Sequence, residues 1–168
     1  MSNDPLYYLK RFNAQYKHFK KIVEEREKER KESEDYNISL SNVVVALENL
    51  EENIRFWASL LTKVKKFHAL CLNEYKHWKA KKIVEIRADL VTMQDGRTKT
   101  GLRVIPLREL DITAKLESMP KWKNFSDRIV KISCYIDKID KQYYWPTVNR
   151  LKILESMTRF SVASERSY

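Results

Sequence analysis

Lys76, Lys79, Lys81 and Lys82 crowd into one short stretch, with Arg87 close behind them. Lys63, Lys65 and Lys66 precede the group, and Arg97, Lys99, Arg103 and Arg108 follow it. On a helix, Lys76, Lys79 and Lys82 are neighbours at spacings of three and form a ridge that winds slowly about the axis. Lysines so arranged can neutralise successive phosphates of a strand and release its counterions, which gives binding without sequence preference. Tyr75 and Trp78 lie among them and are the candidates for stacking on bases. Plainer readings exist for the same residues. A lysine-rich helix face can serve solvation alone, and Tyr75 and Trp78 also fall on an apolar seam where burial would account for them.

The distribution of charge favours binding. The chain of 168 residues carries a formal net charge of +10. Between Trp57 and Arg108 stand 12 Lys or Arg against 4 Asp or Glu. The remainder has 21 basic and 19 acidic residues, so the excess belongs to one third of the chain. A polyanion-binding stretch has that pattern; a uniformly basic solubility surface does not.

Residues that could support catalysis are sparse. Gly96 and Gly101 flank Arg97 to Thr100 without the strand–loop–helix context of a phosphate-cradling loop. His18, His68 and His77 lack the i, i+4 pairing of zinc-binding helices, and His68 and Cys71 fall on the apolar seam. Cys71 and Cys134 give neither a disulfide framework nor metal-ligand spacing. No catalytic residue, cofactor or metal is expected. The N-terminus has no signal-peptide pattern and no apolar run approaches membrane-spanning length, so the expectation is a cytoplasmic protein with no membrane partner.

The elements that must position the lysines are helices. With two glycines in the whole chain, folds built on many tight turns are poor candidates, because such turns need residues at positive φ. Leu9, Phe12, Tyr16, Phe19 and Val23 predict a first helical segment over 5–35, ending in a mixed charge run from Glu24 to Glu34 that reads as solvated. Ser39 or Ser41 is a candidate cap for the next helix.

Over 42–93 the apolar positions Val43, Leu47, Leu50, Ile54, Trp57, Leu61, Val64, His68, Cys71, Tyr75 and Trp78 alternate spacings of four and three. Ala46, Leu60 and Phe67 widen this heptad seam. Such a helix would extend roughly 75 Å at 1.5 Å per residue, and so must project or pair along its length. The seam changes phase near Lys82 and continues through Ile83, Ile86, Leu90 and Met93.

Gln94 to Gly101 is expected to be a loop, with Asp95-Gly96 as its turn, and Leu102 to Ile105 an extended stretch before Pro106. A short helix is then expected from Pro106 to Glu117. Ser118 and Pro120 read as cap and first-turn proline of another helix, whose stripe is Trp122, Phe125, Ile129, Ile132, Ile136, Ile139 and Tyr143. Pro146 is expected to break or kink that helix after Trp145. Val148 to Phe160 reads as a last short helix and Ser161 to Tyr168 as a frayed end.

The expected fold is therefore all-α: long amphipathic helices in an antiparallel hairpin or bundle, with a short C-terminal helix, forming oligomers. Its segments are an N-terminal helical extension over 1–38, a basic helical core over 39–145 and a C-terminal oligomerisation segment over 146–168. Trp145, Val148, Leu151, Leu154, Met157 and Phe160 are the candidate assembly residues, since so much apolar surface in a short helix must dock on something.

From about residue 57 to residue 160 the order of features resembles the UvsY-type recombination mediators of T-even-like phages. The shared features are the lysine run 76–82 leading to Gly96-Arg97, Trp122 at the opening of the heptad helix, and the close at Met157-Thr158-Arg159-Phe160. The sequence departs from the family at Met93-Gln94-Asp95, where a Tyr-Tyr pair is usual, and in a longer N-terminal segment.

The resemblance implies a ring-forming accessory protein in the cytoplasm of a phage-infected bacterium. It would bind single-stranded DNA and help load a RecA-like recombinase in the presence of single-strand-binding protein. Lys79, Lys81, Lys82 and Arg87 would match the family's basic stretch. Two other readings fit the residues. One is a helical structural or assembly protein in which the seams are the function. The other is a small RNA-binding helical subunit of an RNA-guided effector complex.

Overall fold

A computed structural model describes residues 5–33, 43–98 and 109–165. Every element among them is helical, with no strand, and none of the helices is long and apolar enough to cross a membrane. The order is α1 (Tyr7–Ser33), α2 (Val43–Thr98), α3 (Glu109–Glu117), α4 (Pro120–Ile139), a π-helical turn (Asp140–Tyr144) and α5 (Trp145–Glu165). Ser39, Ser41 and the stretch from Leu102 to Pro106 lie outside the described residues; the helix expected from Pro106 is described from Glu109 onward.

Two compact units are built from segments distant in sequence: Met1–Asn13 with His68–Lys131, and Ala14–Phe67 with Ile132–Tyr168. Their boundaries fall inside α1, α2 and α4.

In the unit containing Ala14–Phe67, the stripes foreseen from spacing are the buried faces. Phe19 and Val23 of α1, Trp57, Leu61 and Val64 of α2, and Ile132 and Ile139 of α4 are all buried. Leu60 and Phe67, which widen the α2 seam, are buried as well. Burying side chains of this size contributes about 1.5–3 kcal/mol each. Polar groups within this core find partners. The Tyr135 hydroxyl donates to the Phe19 carbonyl at 3.2 Å, and the Tyr143 hydroxyl donates to the Glu27 carboxylate. Arg26 belongs to the charge run read as solvated, yet its side chain is only 22% exposed. Its guanidinium donates to Asn53 at 3.1 Å and lies 4.9 Å from the centre of the Phe56 ring. The arginine covers apolar surface with its stem while its head stays hydrogen-bonded.

Pro146 does not break the helix. An interior proline removes one backbone donor, and its ring clashes with the carbonyl four residues back. Here the preceding turn widens to π geometry, with the Trp145 N–H donating to the carbonyl of Asp140. The chain then continues as a helix through Glu165, so the terminal helix is longer than the 148–160 expected. The Thr147 hydroxyl is buried and donates to the Tyr143 carbonyl at 2.7 Å, satisfying an acceptor inside the irregular turn.

In the unit containing His68–Lys131, Leu9 and Phe12 of α1, Cys71 and Ile86 of α2, Ile112 and Leu116 of α3, and Phe125 of α4 are buried. Both oxygens of Glu74 accept backbone N–H groups at the start of α1, from Tyr8 at 2.9 Å and Leu9 at 2.8 Å. A carboxylate from α2 thus satisfies donors that the first turn of any helix leaves open.

Two local expectations are corrected here. Gln94 to Thr98 is helical rather than a loop, because α2 runs to Thr98 through Asp95-Gly96. One interior glycine costs only about 1 kcal/mol, and extending an existing helix by a residue is far easier than starting one. Ser118 closes α3 rather than capping α4: its hydroxyl donates back to the Lys115 carbonyl at 2.8 Å.

Candidate functional site

The lysine run occupies the part of α2 that belongs to the unit His68–Lys131. The inner face of this part is set by apolar residues. Ile86, Ile112 and Leu116 form a buried cluster, against which Trp78, Ile83, Met119 and Trp122 pack. Trp78 also meets Phe125 edge-on, with centroids 5.3 Å apart, and stacks loosely on Tyr75 at 6.4 Å and 22°. Both rings are half-buried. Burial, and after it the negative charge of Glu117, pushes the Tyr75 phenol upward. Trp78 packs on this cluster and Tyr75 lies beside it, and both side chains stay partly exposed.

With the indole fixed inward, the lysines are held outward or at the flank. Lys76 and Lys81 are exposed and Lys79 is half-buried. None of the three has an ion-pair partner among the described residues. Lys82 and Arg87 do have partners. The Lys82 ammonium donates to Glu85 one turn on, and Arg87 donates to Glu109 of α3 at 2.9 Å. The hydrogen bond from Lys82 is the main cause that holds the Glu85 carboxyl below its usual range, with the charges of Lys82 and Lys81 acting in the same sense against burial. All these pairs lie at the surface, where such bonds are weak and exchange readily with another anion. Arg97 falls in the last turns of α2, while Lys99 and Arg103 lie outside the described residues. Lys63, Lys65 and Lys66 are exposed on α2 in the other unit.

The groups on the seam are chemically quiet. Cys71 is fully buried, and burial, followed by the charge of Glu74, raises its thiol to about 12 against an opposing effect of Arg128. That thiol is a packing group rather than a nucleophile. Burial lowers the imidazole of His68, whose Nε2 has no hydrogen-bond partner among the described residues. Among the described residues, no three His, Cys, Asp or Glu side chains converge in a way that could hold a metal.

Sequence reasoning passed over Lys121 and Lys123. They occupy the first turn of α4, which contains no acidic residue. The helix macrodipole favours acids at that end and disfavours lysine. Two lysines at the start of a helix were therefore a legible anomaly, obscured by attention to the stripe beginning at Trp122.

The candidate assembly residues divide into two faces of α5. Leu154 is buried, Val148 and Leu151 are half-buried, and Trp145 and Met157 are exposed at 49% and 63%. Ile153, not singled out from sequence, is exposed at 60% between them. The side chain of Phe160 lies outside the described set. Comparison with protein-family models, with curated proteins and with solved structures finds no match for this chain.

Proposed function

We propose that this protein is a non-catalytic single-stranded DNA-binding protein that acts as a homo-oligomer, in the manner of a recombination mediator that helps load a RecA-like recombinase. The observation that carries the reading is the set Lys76, Lys79 and Lys81 on α2, without ion-pair partners among the described residues while Trp78 anchors the helix from within. Cations not held in a close ion pair are available to phosphates, and their spacing along one helix suits a strand with repeating charge. Lys82 and Arg87 add to the surface by exchanging a carboxylate for a phosphate. Self-association would place several such surfaces on one particle, and many weak contacts would then hold a strand by avidity. An antiparallel pairing of helices is part of this reading. It is supported by Phe19 meeting Phe67 at 5.9 Å while Arg26, further along α1, reaches back to Asn53. Single-strand-binding protein and the recombinase are the protein partners proposed.

The test is salt-dependent binding of a labelled oligothymidylate. The parent should bind with a log–log salt slope of about −0.7 per phosphate contacted. Replacing Lys76, Lys79, Lys81 and Lys82 by Ala should flatten the slope and weaken binding without loss of helicity. A variant that binds like the parent would show that the site is misplaced.

A second reading, a helical assembly protein, draws on the exposed apolar row Trp145, Ile153 and Met157 on α5. In that case the oligomer forms but the oligothymidylate does not bind at any salt concentration.

A further inference from the structure

A groove of about 420 Å³ opens in the unit Met1–Asn13 with His68–Lys131, between the start of α1 and the start of α4. Leu6, Pro120 and Phe125 form its apolar part, and Lys10, Lys121, Arg128 and Asn124 line the rest. Three cations and an amide therefore face the opening, and among the described residues no carboxylate lines it. Arg128 donates to the Leu9 carbonyl, which fixes the guanidinium in place while leaving most of its five N–H donors for other acceptors. Phe125 is itself braced by Trp78, the aromatic residue among the α2 lysines.

Charge placement along α4 bears on one of the same residues, Lys121. Lys121 and Lys123 stand in a first turn with no acidic residue, where the helix dipole repels them. Sequences break such local rules where a site requires it, and an anion at this place would turn the unfavourable term into a favourable one.

We propose that this groove is a second binding site on the protein and takes one nucleotide unit of a single DNA strand. The phosphate lies against Lys121 and Lys10, Asn124 donates its amide to a phosphate or sugar oxygen, and the sugar and base cover Leu6 and the edge of Phe125. A cationic rim over an apolar, aromatic floor is the combination that single strands use, since each nucleotide presents a charge beside a flat apolar ring. The inference rests on the proposed strand-binding function and extends it to residues of α1 and α4.

The experiment compares four forms of the full chain by anisotropy with a labelled oligothymidylate: the parent, the quadruple α2 alanine variant, Lys121→Glu, and Lys20→Glu as an exposed control of equal charge change in the other unit. Lys121→Glu should weaken binding by about tenfold or more. It should leave the melting temperature unchanged or raised, because glutamate suits the first turn of a helix. Lys20→Glu should change affinity by less than about twofold, as expected for a charge outside the contact. An oligonucleotide carrying iododeoxyuridine should crosslink to Phe125 or its neighbours on irradiation. The groove is overturned if the α2 variant loses binding while Lys121→Glu binds like the parent and no crosslink maps to α4. A parent that does not bind the oligonucleotide at any salt concentration would overturn the functional reading itself, a distinguishable result.

Discussion

The indole of Trp78 meets the ring of Phe125 at 87°, with centroids 5.3 Å apart. This edge-to-face contact joins the lysine-bearing part of α2 to α4, and it fixes how α2 is turned about its own axis. A helix turned otherwise would bury lysine, which is costly without a partner. Phe125 is 8% exposed, and Phe125→Ala should cost about 3–5 kcal/mol. Urea unfolding followed by circular dichroism should show a lowered midpoint. A loss below 1 kcal/mol would mean that the contact does not orient the helix.

The two thiols should differ sharply in reactivity. Cys134 is exposed, and Cys71 is fully buried with its thiol raised to about 12. A thiol reagent at neutral pH should label Cys134 rapidly and Cys71 only after denaturant is added. Because the folded pKa of Cys71 lies above the unfolded value of 9.0, its contribution to stability is present below pH 9.0 and is lost as pH rises toward 12. Cys71→Ala should remove that part of the alkaline loss, as measured by melting temperature against pH.

His68 should make the fold acid-sensitive. Burial lowers its pKa below 6.5. The unfolded chain then binds the proton more readily than the folded one, and stability falls as pH drops below 6.5. Above that pH the residue has no such effect. His68→Leu should flatten the decline between pH 6.5 and the lowered folded value; an unchanged profile would assign the decline to other groups.

The faces of α5 should separate assembly from folding. Ile153→Asp with Met157→Asp alters two exposed positions and should reduce the particle mass in light scattering while helicity is kept. Leu154→Asp places a charge at a buried position and should lower stability by several kcal/mol, on the order of 3–5. The parent should be larger than a dimer. A monomeric parent at micromolar concentration, or an unchanged mass in the double variant, would show that the exposed row has another use.

The thread through the π turn makes a separate prediction. Thr147→Val removes the hydroxyl that donates to the Tyr143 carbonyl within the buried turn. Losing this buried hydrogen bond should cost about 0.5–1.5 kcal/mol. Chemical denaturation checks this, and a neutral result would mean that the turn needs no side-chain partner.

Much of the architecture was legible in the sequence, because apolar side chains at spacings of three and four can share only one face of a helix. Val64, Cys71, Ile132 and Ile139 are all at 0% exposure on the stripes so identified. The lysine run and its excess of charge were visible for the same local reason. Tertiary structure decided what spacing does not encode. What Trp78 packs against depends on which partners α3 and α4 bring, and Phe125 lies more than a helix away in sequence. Lys82 and Arg87 acquired carboxylate partners, one a turn away and one on α3, while Lys76, Lys79 and Lys81 have no ion pair among the described residues. Pro146, read locally as a break or kink, became part of a continuing helix by way of a wider π turn just before it, with the Thr147 hydroxyl bonded back to the Tyr143 carbonyl. A helix face is a property of a short stretch of chain; the partner of each polar group on it is set by whichever distant segment folds against it.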